Sequence, residues 1–361
     1  MDASIIALLG QDGITNGAIY ALLALALVLV FAVTRIIFIP QGEFLTWGAL
    51  TMASLESGHY PATVWLLVGL GALSFSFDLG RVLRDMTFGK SVAINGGKNK
   101  PEQWRQLSYS GLRNLAYPLA LAALLWMLPF AHLAIGVRVL VVLLIIVPMG
   151  PMIYRVAFQP VAQAPVLILL IISVAVHLVM VGLGLLVFGP EGARTEPFID
   201  AQLQIGTLMI GGHAIVVVLA SLLLIAALYL FFGHTLYGKA LRATAINRNG
   251  ARLMGISPGL AGRLTFILAA FIGVMSGMLV APLTTIFYDS GFLIGLKGFV
   301  AAIIGGLASY PLAAVGAILV GLLESFSSFW ASAFKDVIVF TLIIPVLVWR
   351  SLATYHVEEE E

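Results

Sequence analysis

The chain has 361 residues, 61% of them hydrophobic and 10% charged, with a mean hydropathy of +1.06; ordinary soluble domains carry roughly 25% charged residues. A water-soluble core cannot absorb that much apolar surface, so a soluble domain is excluded. The lack of cysteine also excludes a disulfide framework, a thiolate metal site and a cysteine nucleophile; a formal net charge of +2 says little about partners, and no nucleic-acid partner is expected.

Residues 1–13 carry Asp2 and Asp12 and no basic residue. A cleavable signal would need a positive start, so the first apolar run is expected to stay as a span. Apolar runs follow at 14–39, 44–57, 62–77, 115–133, 136–153, 166–188, 212–232, 264–287, 293–307, 312–330 and 337–349. With no water in hydrocarbon to satisfy backbone groups, each run must be helical. The expected fold is an all-α, polytopic membrane protein with about 9–11 transmembrane or re-entrant helices. The runs at 44–57 and 293–307 fall short of the roughly 20 residues that cross a bilayer, so they are expected to be broken or re-entrant.

Alternating the loops between the two sides puts fifteen of the nineteen basic residues on one side and leaves Arg138, Arg194, Lys297 and Lys335 on the other. Lys and Arg in short loops are retained in the cytoplasm, so the N-terminus is expected outside and the C-terminus in the cytoplasm. The longest outer loop, 189–211, is net acidic through Glu191, Glu196 and Asp200. Two inner loops stand out: 78–114, with a turn-forming centre at Asn95-Gly96-Gly97-Lys98-Asn99-Lys100-Pro101, and 234–263, which is basic without a single acid. The middle of the second, 240–254, contains no Pro, and Gly250 is its only glycine; a short helix along the membrane surface is expected there.

Gly17-Ala18-Ile19-Tyr20-Ala21-Leu22 runs on to Arg35-Ile36-Ile37 and then to Gln41-Gly42-Glu43-Phe44, joining one span to the next with almost no loop. Glu43 then begins an apolar helix. Its ordinary role there is a helix N-terminal charge, stabilised by about 0.3–1 kcal/mol; its functional role, shared with Gln41, is a pathway or subunit contact, because charge near hydrocarbon is costly. In the basic loop, Lys239, Arg242, Ala243, Asn247, Arg248, Ala251, Arg252 and Gly255 fit either a snorkelling stretch that fixes topology or a coupling helix docking on a cytoplasmic motor. Lys297 and Glu324 lie within spans, where an ionisable residue is a functional hypothesis by default; they can pair with each other or with a partner chain. The small residues around them, Gly298, Gly305, Gly306, Gly316 and Gly321, serve helix packing, and His177 reads as a hydrogen-bonded interior residue rather than a ligand.

No catalytic signature is present, and no catalytic or metal-binding residue is assigned. Phe88-Gly89-Lys90-Ser91 resembles the end of a phosphate-binding loop, but the required first glycine would fall at Arg84 and no strand precedes it. The chain does not read as its own ATPase.

Together these segments resemble the integral membrane subunits of branched-chain amino acid uptake systems of the ABC importer class, over 14–72 and 138–349. The matching elements are the Gly-x-Ile-Tyr-Ala-Leu start, the turn from Arg35 to Phe44, the Gly238-Lys239-Ala240-Leu241-Arg242-Ala243 to Ala251-Arg252-Leu253-Met254-Gly255-Ile256 loop, and the run from Leu296-Lys297 through Gly305-Gly306 to Glu324. Phe38 and Gln41 stand where the family carries Asn and His, and Arg350-Ser351-Leu352-Ala353 replaces its Arg-Pro-x-Gly-Leu ending. The resemblance implies a permease of the bacterial inner membrane, one transmembrane domain over 1–361 with an atypical insertion at 74–136. It implies a second, related permease (a heterodimer, or a homodimer), two cytoplasmic ATPases holding ATP and Mg, a periplasmic binding protein, and no cofactor on this chain. The coupling segment would be 239–255. An ion-coupled secondary transporter is the alternative, with Glu324 and His177 as its candidate site; it lacks a carboxylate cluster to hold sodium.

Overall fold

The computed structural model describes residues 3–88, 111–127, 133–205, 208–307 and 309–354. The turn-forming segment 95–101 and the decoy residues Gly89 to Ser91 lie outside them, as does the middle of the 74–136 insertion. Eight helical segments among the described residues are long and apolar enough to cross a membrane: 4–34, 63–80, 135–161, 166–188, 212–234, 258–280, 310–330 and 332–349.

Helix α1 (Ala3–Thr34) stands at the centre. It packs against α8 (Gly212–His234), α11 (Pro258–Val280), α12 (Ser290–Ile304) and α13 (Tyr310–Trp330), and 89% of its most apolar stretch is buried inside the protein. A helix that is apolar all round can sit in a core or in lipid; here burial separates the two cases. In α7 (Val166–Phe188) and α8 only 17% is buried, and in 332–349 only 6%, so these segments lie at the periphery. α1 ends because Arg35 takes a left-handed conformation (φ 62), its guanidinium 5.9 Å from the centre of the Phe31 ring. Residues 36–39, expected inside the first span, are therefore a connector. It is pinned by a knot of rings: Phe38 lies 5.9 Å from Phe44, 5.9 Å from Phe158 and 4.8 Å from Phe266.

α2 (Gln41–Glu56) is short, as expected, and buried along nearly its whole length. Glycines let it sink that deep. A Cβ on Gly42 would collide with the Gly291 carbonyl, and one on Gly48 would lie 3.0 Å from the Val274 backbone, so α2 meets α12 and α11 backbone to backbone.

α3 (Thr63–Phe88) continues well past 77, where the apolar run ends. The first charge beyond that point, Asp78, is buried and ion-paired with Arg155, which removes the reason for the helix to leave the core. A π-helical turn (Leu112–Ala116) leads into α4 (Tyr117–Trp126), which lies against α3. Next come α5 (Ile135–Ile146), α6 (Met149–Ile153), a second π-helical turn (Tyr154–Phe158) and a 3-10 turn (Gln159–Val161).

Between α7 and α8 lies a hairpin that the sequence did not suggest, β1 (Gln202–Ile205) antiparallel to β2 (Leu208–Gly211) with Leu203 opposite Ile210. The basic loop is not one helix over 240–254 but two, α9 (Leu236–Ile246) and α10 (Arg248–Leu253). Asn247 divides them: its backbone is extended and its side-chain oxygen accepts a hydrogen bond from the Gly250 N–H at 2.8 Å, the usual N-cap arrangement. The run expected at 264–287 is shifted; Pro258 opens α11 six residues earlier and the helix stops at Val280, ahead of an irregular stretch. The last run is split into α14 (Lys335–Thr341) and α15 (Ile343–Thr354).

Candidate functional site

Among the described residues, the candidate site residues fall into three polar constellations. The first lies where α2 starts. Pro40 precedes the helix, the Ile39 N–H donates to Ser173 Oγ at 2.9 Å, and Gln41 Nε2 donates to the Ala269 carbonyl at 2.9 Å. This fixes the first turn between α7 and α11 and carries Glu43 into a fully buried position. Glu43 Oε1 is 3.1 Å from His177 Nδ1, within ion-pair distance but not aligned as a hydrogen bond, and the His177 ring lies 4.8 Å from that of Phe292. Gln41 Oε1, Thr46 Oγ1 and Trp47 Nε1 are buried nearby on the same helix with no hydrogen-bond partner among the described residues. Unsatisfied buried polar groups cost about 1–3 kcal/mol each, so their concentration in two turns marks a place where the fold gives up stability.

The second joins α1, α12, α13 and α14. Lys297 Nζ sits 2.5 Å from Glu324 Oε1 and 3.0 Å from Asp336 Oδ1, and the Tyr20 hydroxyl donates to Glu324 Oε2 at 2.5 Å. Lys297 and Glu324 are buried, while Asp336 is half-exposed. The pairing of Lys297 with Glu324 anticipated from sequence is made within this chain. Tyr20 and Asp336 were not singled out, although Tyr20 belongs to the opening motif.

The third is built by α9 and α10. Thr235 caps α9 through its hydroxyl to the Gly238 N–H at 3.0 Å, and Gly255 takes φ 83 after α10, a turn that a side chain would strain. Arg248 Nη1 donates to the Ala162 carbonyl at 3.2 Å, tying α10 to the segment after α6. Between them opens a groove of about 930 Å³ lined by Gln159, Gln163, Arg248, Asn249 and Arg252. Lys239, Arg242, Asn247 and Arg252 are exposed, Ala243 is half-buried, and Ala251 is buried, so it seats α10 rather than presenting outward. Two apolar side chains, Leu253 and Met254, are 88% and 83% exposed beside this groove.

Comparison with known proteins bears on this arrangement. The sequence model of the family described as "Branched-chain amino acid transport system / permease component" matches residues 106–347. The high-affinity branched-chain amino acid transport system permease protein LivH of Escherichia coli K12 is 30% identical over 206 residues, which is 55% of this chain and 67% of LivH. The corresponding permease protein BraD of Pseudomonas aeruginosa is 30% identical over 155 residues, 42% of this chain and 50% of BraD. No solved structure matches the chain. An apolar helical body with several spans, joined to a family match over most of its length, is sufficient: the chain belongs to the family of permease components of branched-chain amino acid transport systems.

Proposed function

We propose that the chain is the membrane-spanning subunit of an ATP-driven importer in a bacterial inner membrane, carrying branched-chain amino acids or chemically related small solutes delivered by a binding protein outside the cell. Family membership carries this reading. ATP and Mg would be held by two separate ATPase subunits, and a second permease, related or identical, would complete the pathway. The whole chain would act as one transmembrane domain, with 74–136 as its elaboration. The N-terminus would face outward and the α9–α10 face the cytoplasm.

In this reading α10 and its flanks, Asn247 to Gly255, form the contact with the motor. Leu253 and Met254 are apolar side chains held out by a capped helix, and a few residues that become buried on docking carry most of the energy of an interface. Replacing both with Asp is expected to abolish substrate-stimulated ATP hydrolysis in the reconstituted complex. Because both side chains are exposed, the fold should change in stability by no more than about 0.5 kcal/mol. Unchanged coupling in that variant would remove α10 from the contact.

Glu43 and His177 would line the pathway. Glu43→Gln keeps the shape and removes the charge. Uptake in proteoliposomes is expected to fall at least about tenfold, equivalent to 1.4 kcal/mol, while assembly with the ATPases persists; full uptake would assign Glu43 a packing role only. The test of the function as a whole is purification of the native assembly in mild detergent with identification of the associated chains. Recovery of ATPases and ATP-dependent uptake supports the proposal, whereas uptake by the chain alone, driven by an ion gradient, would replace it with a secondary carrier.

A further inference from the structure

Beside the end of α1 lies a second cavity, of about 840 Å³, walled by α1, α8, α9 and the start of α13. Most of its lining is apolar, including Leu25, Leu29, Leu228 and Phe232, and the Phe232 ring stacks on Tyr310 at 5.9 Å. Two exposed arginines, Arg35 and Arg242, line the same cavity, one at the end of α1 and one on α9. Neither has an acidic partner among the described residues. Arg35 also holds the left-handed backbone conformation that ends α1.

The dimensions narrow the choice of occupant. Along α1 the lining runs from Arg35 to Leu25, about 15 Å at 1.5 Å per residue, and that is the depth of one leaflet of a roughly 30 Å hydrocarbon core. The charged end coincides with the ends of α1 and α8 and the start of α13, where helices of spanning length finish. A ligand that fits must be apolar over one leaflet and anionic at its head. A free anion would leave the apolar wall empty, and an uncharged lipid would leave both guanidiniums without a counter-charge.

We infer that this cavity is a binding site for an anionic phospholipid, its phosphate held between Arg35 and Arg242 and an acyl chain lying along α1 and α8. Arginine suits that role because its planar fork binds phosphate oxygens in pairs. The site is independent of which solute is transported. It joins the end of the central helix α1 to the second half of α9, so bound lipid bridges the core and the basic face.

The test is native mass spectrometry of the full chain, stripped of lipid and supplied with phosphatidylglycerol or phosphatidylcholine. Phosphatidylglycerol should be retained selectively, and Arg35→Gln and Arg242→Gln should each lower its retention roughly fivefold without affecting phosphatidylcholine. Leu29→Trp, which fills the apolar part and leaves both arginines, should displace phosphatidylglycerol as well; it serves if an arginine variant does not accumulate. Equal retention of the two lipids, or loss of neither with any variant, would overturn the site. So would inorganic phosphate stabilising the chain as much as phosphatidylglycerol, which would make it an anion site. Crosslinking of Tyr229 at the cavity wall to a second protein in native membranes would instead make it a subunit interface.

Discussion

Lys297→Met is expected to destabilise the folded chain by about 3–5 kcal/mol, because it strands Glu324 without its cation in the interior. The Glu324 side chain is only 10% exposed, while that of Asp336 is 40% exposed, so the solvated Asp336 contributes little of this and the cost falls on Glu324. Hydrogen bonding from Tyr20 cannot offset it, since a neutral donor does not cancel a buried charge. Thermal unfolding of the detergent-solubilised protein should therefore show a large loss for Lys297→Met and a substantial recovery when Glu324→Gln is added, the pattern of two coupled sites. A single variant no less stable than the Leu253→Asp control, or a double variant with simply additive losses, would mean that the pair does not hold these four helices together.

Gly42→Ala is expected to be almost as damaging despite adding one methyl group. That methyl points at the Gly291 carbonyl, and Gly291→Ala would in turn press on the Gly42 carbonyl and Thr46 Oγ1. Backbone cannot rotate away as a side chain can, so α2 and α12 must separate, at a cost of about 1–3 kcal/mol or more, and Glu43 moves with them. Uptake should be lost together with stability. Gly69 in α3 provides the contrast: nothing lies within 4 Å of a Cβ there. Gly69→Ala is expected to stabilise by about 0.5–1 kcal/mol, the ordinary gain for a helix interior. Equal tolerance of the two substitutions in a thermal shift assay would refute the close approach of α2 and α12.

Much of the architecture is legible in the sequence because hydrocarbon permits so few backbone solutions. The run at 166–188 coincides with α7 residue for residue, since Pro165 precedes it and Gly189 turns away at φ 78. Boundaries fail where a tertiary contact decides them. α3 outruns its apolar stretch because Arg155, far along the chain, neutralises Asp78. α1 stops early because Arg35 adopts a conformation no local pattern demands. The hairpin at 202–211 carried no turn signal strong enough to reveal it. Among the polar clusters, Lys297 and Glu324 announced themselves as charges inside spans, whereas Tyr20 and Trp47 resemble ordinary core aromatics until their neighbours are known. His177 reads from sequence as a hydrogen-bonded interior residue; it is interior, but its neighbour Glu43, more than a hundred residues earlier, is at ion-pair distance and not aligned as a hydrogen bond.

The centre of the molecule is made by two helices far apart in the sequence. α1 finds its most extensive packing against α13, which begins at Tyr310. Ribosomes extend a chain at about 5–20 residues per second, so α1 waits on the order of tens of seconds for its principal neighbour. During that interval it must be stable as a solitary span, and a mean hydropathy of 2.5 over its best window makes lipid an acceptable interim solvent. The same wait means that truncation anywhere before α13 leaves a membrane-inserted chain lacking the partner around which the rest closes. Nascent copies interrupted late in synthesis would therefore be well inserted yet unassembled, the form that membrane quality control is best placed to degrade.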